Sequence, residues 1–142
     1  MKKLEISSQI KSFEDLIVWQ KAHQLMVKIY NASKLLPPEE KYGRRSQVTR
    51  SISSVSANIA EGSGRFHFQE NIQFCRQARG SLLETKNHIL AARDLGQLPH
   101  QLCQALLEDC SEVSRLLNAY IGATMDWQKK SSKNTAKPVT NF

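Results

Sequence analysis

Residues 18–38 read VWQKAHQLMVKIYNASKLLPP, and the spacing of their apolar side chains decides the fold class. Val18, Ala22, Leu25, Ile29, Ala32 and Leu36 recur at alternating steps of four and three, the repeat of one face of an α-helix. Ser12 is a candidate N-cap, with Asp15 three residues on as its capping-box partner, and Pro37-Pro38 is a stop. The pattern predicts a first helix over about 13–36, on the order of 36 Å long. A second stripe, Trp19, Met26 and Tyr30 with His23 among them, runs along the neighbouring face. A lone bundle helix needs one apolar face. Two adjacent faces predict a covered second surface: Trp19, Met26 and Tyr30 are the expected oligomer interface, with packing wholly inside the bundle as the alternative.

Three more periodic segments follow. A stripe of Val48, Ile52, Val55 and Ile59 predicts a helix over about 44–61, ended by Gly62-Ser63-Gly64. Its remaining positions are small, Ser51, Ser53, Ser54, Ser56, Ala57 and Ala60, so packing rather than propensity must hold it. Cys75, Ala78, Leu82, Ile89 and Ala92 predict a third helix over about 67–95, closed by Gly96. Pro99 opens a fourth over about 99–125, with Cys103, Leu106, Cys110, Val113, Leu117 and Tyr120 as its stripe. Short loops between four helices predict an all-α, antiparallel up-down four-helix bundle over 13–127. Residues 1–12 are expected to be an N-terminal arm, and the lysine-, serine- and threonine-rich 128–142 a disordered basic tail.

The chain of 142 residues is 40% hydrophobic and 23% charged, a globular composition. No apolar run approaches the ~20 residues that cross a bilayer, and no apolar stretch follows the basic start as in a secretory signal. We expect a cytoplasmic protein without membrane contact. Three cysteines with no C-x-x-C pair make neither a disulfide framework nor a zinc site, and all three fall at core positions. The net charge of +7 is unevenly spread: +6 over 41–93, −4 over 94–128 and +4 over 129–142.

No constellation carries chemistry. His23, His67, His88 and His100 lack the spacing of a metal-binding pair, so no metal and no cofactor are expected. The serines of the second helix have no strand–turn–helix setting and no base, so no catalytic residue is expected. Gly62-Ser63-Gly64-Arg65 precedes a helix as phosphate loops do, but lacks the Lys-Ser/Thr of a P-loop. Two polar clusters remain. Gly80 in a helix interior costs about 1 kcal/mol relative to Ala, which predicts close approach by another helix. Asn58 and Glu61 on the second helix, with Arg79, Gly80 and Glu84 on the third, are the expected structural clasp.

These same clusters carry a resemblance. Phe13-Glu14-Asp15-Leu16, Val18-Trp19-Gln20-Lys21-Ala22, Leu36-Pro37, Tyr42-Gly43 and Gln47 to Arg50 stand in the first half. Asn58-Ile59-Ala60-Glu61-Gly62-Ser63-Gly64-Arg65 and Ala78-Arg79-Gly80-Ser81 with Glu84 follow. In this order the chain resembles the four-helix-bundle family encoded in intervening sequences of bacterial 23S ribosomal RNA genes, from Phe13 to Gly96 and more loosely beyond. One departure is the serine-heavy Ser51–Ser56. The resemblance implies a ring-like homopentamer with positive surfaces and a nucleic-acid-related role. It also implies a distant kinship with the accessory variability protein of diversity-generating retroelements, a basic pentameric bundle that binds its reverse transcriptase and RNA.

Charge and resemblance together predict a non-catalytic, oligomeric adaptor that holds RNA or DNA by phosphate contacts, RNA foremost. The expected contact residues are Arg44, Arg45, Arg50, Arg65 and Arg76, with Lys129, Lys130, Lys133 and Lys137 on the tail. The alternative is a protein-interaction scaffold, such as an accessory subunit for a reverse transcriptase.

Overall fold

The computed structural model describes residues 11–134. Four helices form it: α1 (Ile17–Ser33), α2 (Arg44–Ser63), α3 (Phe68–Asp94) and α4 (His100–Asn134), with single 3-10 turns at Phe13–Asp15 and Pro38–Glu40. Each helix packs on its neighbours in sequence, and α1 also packs on α4, which closes a four-cornered bundle. The pairings are antiparallel. Ser51 meets Thr85 while Ser54 meets Ser81, and Lys21 meets Glu112 while Lys28 meets Asp109.

The periodic residues form the core. Ala22, Ile52, Val55, Ile59, Cys75 and Leu117 are fully buried, and the apolar positions of all four stripes join one cluster. Removing that much apolar surface from water is the main drive for folding.

The ends of the helices differ from expectation at instructive places. The capping box of Ser12 and Asp15 exists, but it caps only the turn Phe13–Asp15. The Lys11 and Ser12 backbone N–H groups donate to Asp15 Oδ2 and hold its carboxyl below the usual range. Leu16 is then extended, with ψ 123°, so that its side chain enters the core before α1 begins at Ile17. At the far end α1 stops at Ser33, and Leu36 is reached through a turn. Gly96 takes a positive φ of 68°, and Gln97 N–H donates to the Ala92 carbonyl at 2.8 Å, so glycine reverses the chain after α3.

The expected disordered tail is corrected over its first seven residues. Residues 128–134 continue α4, and Gln128 Nε2 donates to Gln69 Oε1 on α3 at 3.3 Å. The apolar stripe ends at Trp127, yet elongating an existing helix costs far less than starting one. Lys137 and residues 1–10 lie outside the described residues.

The clasp is also corrected. Asn58 Nδ2 donates within its own helix, to the Ser54 carbonyl and hydroxyl at 2.8 and 2.9 Å. Glu61 pairs with Arg65, Glu84 lies beside His88, and Arg79 donates to Asn118 on α4. A Cβ on Gly80 would meet nothing within 4 Å. What joins α2 to α3 is a hydroxyl seam. Ser51 Oγ lies 2.8 Å from Thr85 Oγ1, and Ser81 Oγ donates to Ser54 Oγ at 2.9 Å. The close approach is at Gly62, where a Cβ would stand 2.7 Å from Asn71 Oδ1 and 2.8 Å from Phe74 Cβ.

The second stripe of α1 is met largely by the same chain. Trp19 packs edge-on against Phe13 and stacks on His23, with centroids 5.0 and 4.8 Å apart. Trp19 and Met26 lie half-buried against the core. Tyr30 is exposed, and its hydroxyl is 3.1 Å from Ser53 Oγ on α2.

Candidate nucleic-acid interface

Arg76, Arg79, Leu83 and Lys86 follow one another on α3 at steps of three, four and three, which sets them on one flank of the helix. Thr85 and Ser81 turn the opposite flank to the α2 seam, so this one faces α4. Across from it α4 brings Ser111, Ser114 and Arg115. Between the two helices runs a groove of about 320 Å³ lined by Arg79, Leu82, Leu83, Lys86, Cys110, Ser111, Ser114 and Arg115.

Charge is what sets this groove apart. Among the described residues, no carboxylate lies within 4 Å of Arg76, Arg79, Lys86 or Arg115. Arg79 Nη1 donates to Asn118 Oδ1 at 3.2 Å, which steadies the guanidinium and leaves its other donors free. Glu108 stands on α4 about two turns before Arg115 and pairs with none of the four. On its other flank α4 is neutralised: Asp109 holds Lys28 at 3.0 Å and Glu112 holds Lys21 at 3.6 Å. Leu83, 63% exposed, lies between the cations of the groove.

The expected contact residues that fall within the described chain do not share a surface. Arg44 is tied into the fold: Nε donates to Gln97 Oε1 at 3.0 Å, Nη1 to His88 Nδ1 at 3.1 Å, and Glu40 lies 3.5 Å away. Arg65 bridges Glu61 at 2.7 Å and Glu70 at 3.9 Å and lies over the Phe74 ring. A cation already paired with a carboxylate offers less charge to a phosphate than an unpaired one. Arg45 is half-buried near the start of α2, Arg50 is exposed further along it, and Arg76 is exposed on the same flank of α3 as Arg79 and Lys86. Lys129 and Lys130 are exposed on the last turns of α4, and Lys133 falls within that helix. Lys86 and Arg115 belong to the groove without having been expected there. The 3-4-3 spacing from Arg76 to Lys86 was the available signal.

Elsewhere the chemistry is quiet. A larger cleft of about 410 Å³, among Phe13, Leu16, Ala60, Tyr120 and Trp127, has Lys11 as the one charged residue among the described residues that line it. Burial pushes the Cys75 thiol up to about 11 and Cys110 up to about 12, which keeps both protonated and unreactive at neutral pH. Burial and then Arg44 hold the His88 imidazole below its usual range. Among the described residues no three His, Cys, Asp or Glu side chains gather as a metal would need, and no helix is long and apolar enough to cross a membrane.

Comparison with known proteins agrees with this architecture. The chain superposes on the crystal structure of a protein of unknown function from the S23 ribosomal protein family of Bacteroides thetaiotaomicron, with a TM-score of 0.69 and 24% identity. The match covers 74% of this chain and 98% of that one, and at this identity it shows the fold. No curated protein matches by sequence. The sequence profile of the 23S rRNA-intervening sequence protein family matches residues 14–119, from the first 3-10 turn to just past the middle of α4. With the match spanning most of the chain and parts of all four helices, this protein belongs to the 23S rRNA-intervening sequence protein family.

Proposed function

We propose that this protein is a non-catalytic adaptor that holds nucleic acid, RNA foremost, by its backbone phosphates in the cytoplasm. The observation that carries the reading is the α3/α4 groove, with Arg79, Lys86 and Arg115 converging and, among the described residues, no carboxylate within 4 Å of them. Cations left unneutralised on a protein of net charge +7 attract a polyanion, and phosphate contacts of this kind position without reading sequence. Self-association as a pentameric ring, implied by the resemblance, would repeat the groove and strengthen weak contacts by multivalency. Light scattering that gives a 16.1 kDa particle at micromolar concentration would remove the ring.

Fluorescence anisotropy with a labelled structured RNA at about 50 mM salt tests the adaptor reading. Log affinity is expected to fall linearly with log salt, and R79Q/K86Q/R115Q to flatten the slope by about two to three units. K21Q/K28Q, on the neutralised flank, is expected to leave it unchanged. No binding at about 10 μM protein would overturn the reading and leave the groove to an acidic protein partner, for example an accessory contact with a nucleic-acid enzyme such as a reverse transcriptase.

A further inference from the structure

Resting on the nucleic-acid reading above, we infer that the α3/α4 groove takes the backbone ridge of a double helix in preference to a single strand. The residues that line it supply one kind of contact. Arg79, Lys86 and Arg115 offer guanidinium and ammonium donors, Ser111 and Ser114 offer hydroxyls, and all of these suit phosphate and sugar oxygens.

Two kinds of contact are missing from the lining. Among the described residues that line it there is no aromatic ring to stack an unpaired base, which is how proteins without sequence preference hold single strands. Several rings of the bundle lie elsewhere: Trp19 and His23 stack at the start of α1, and Phe13, Tyr120 and Trp127 line the far cleft. Nor, among the described residues, does an amide or carboxylate line the groove to read a base edge, and the Asn118 Oδ1 nearby is engaged by Arg79. A single strand laid here would leave its bases without a platform. A duplex keeps its bases stacked on one another and presents the phosphate ridge alone.

The cations also run lengthwise. From Arg76 to Lys86 α3 advances about 15 Å, a stretch over which duplex DNA carries on the order of nine charges. Leu83, exposed between Arg79 and Lys86, sets an aliphatic surface where a sugar would rest.

The test compares an RNA duplex of about 20 base pairs with each of its separated strands, by anisotropy on the full chain at about 50 mM salt. The duplex is expected to bind at least about tenfold tighter than either strand. R79Q/K86Q/R115Q is expected to abolish that preference, and R79K/R115K, which keeps the charge, to retain it. Equal or tighter binding of a single strand overturns the inference and leaves the adaptor reading standing. A duplex preference that survives R79Q/K86Q/R115Q places the duplex elsewhere and overturns it as well. Failure of duplex and strands alike overturns both readings together.

Discussion

The two flanks of α3 are built from similar numbers of polar side chains and do opposite things. Toward α2 the polar atoms are short hydroxyls that satisfy one another: Ser51 with Thr85, Ser54 with Ser81, and Thr85 with the Ser81 carbonyl. The helices close there until Gly62 has no room for a methyl group. Toward α4 the polar atoms sit at the ends of long cationic chains with no acidic counterpart, and the helices leave a groove. Short self-satisfied groups draw helices together, because every buried donor finds an acceptor within reach. Long like-charged groups repel and stay in water.

The comparison breaks if the α2 flank is not tight. Gly62→Ala forces its Cβ against the Asn71 side chain and the Phe74 Cβ, and is expected to destabilise the fold by about 1–3 kcal/mol in urea unfolding. A variant as stable as the parent would mean that α2 and α3 separate easily. Thr85→Val is expected to cost about 1 kcal/mol. It removes the hydroxyl that touches Ser51 and the Ser81 carbonyl, but Ser51 keeps the Val48 carbonyl as an acceptor at 3.1 Å. Gly80→Ala should move the other way. The position is open and helical, so alanine is expected to add up to about 1 kcal/mol of stability.

The smallest effect sharpens the comparison through pH. His88 also faces α2, where burial first and then Arg44, donating to Nδ1, favour the neutral ring, while Glu84 and Glu40 pull the other way. Its folded pKa is depressed, so the unfolded chain takes up the proton first. Stability is then present above the ordinary value of about 6.5 and declines as pH falls below it. We expect the melting temperature to drop between pH 7 and pH 5 by more in the parent than in His88→Gln, measured by circular dichroism.

The helices were legible because burial enforces a period. Every position of the α1 stripe, Val18 through Leu36, is buried, and the stripes of α2, α3 and α4 likewise meet in the core. The clasp was misread because it depends on helix rotation, which a list of polar residues does not carry. Arg79 and Gly80 follow Ala78 directly, but each step turns the chain by about 100°, so one faces α4 and the other solvent. The seam residues Ser81 and Thr85 stand three past Ala78 and Leu82, on the other side of the same stripe. The serine-rich stretch of α2 held the true signal, since small hydroxyls are what a tight helix pair requires. The groove was obscured by averaging. Residues 94–128 sum to −4, yet Asp109 and Glu112 are spent on α1, and Arg115 stands on the side where no acid answers it.

Cys75, Cys103 and Cys110 each expose 2% or less of their surface, and they sit at three heights along the bundle. Cys75 neighbours Asn71 near the Gly62 contact, Cys110 lies level with Lys86, and Cys103 is beside the α3–α4 turn. An alkylating reagent can reach any of them only when a helix lifts away. Their labelling rates therefore form a set of three clocks, reading how often each storey of the bundle breathes. If the groove is the looser side of α3, Cys110, which lines it, should be modified sooner than Cys75, which lies beside the tight Gly62 contact.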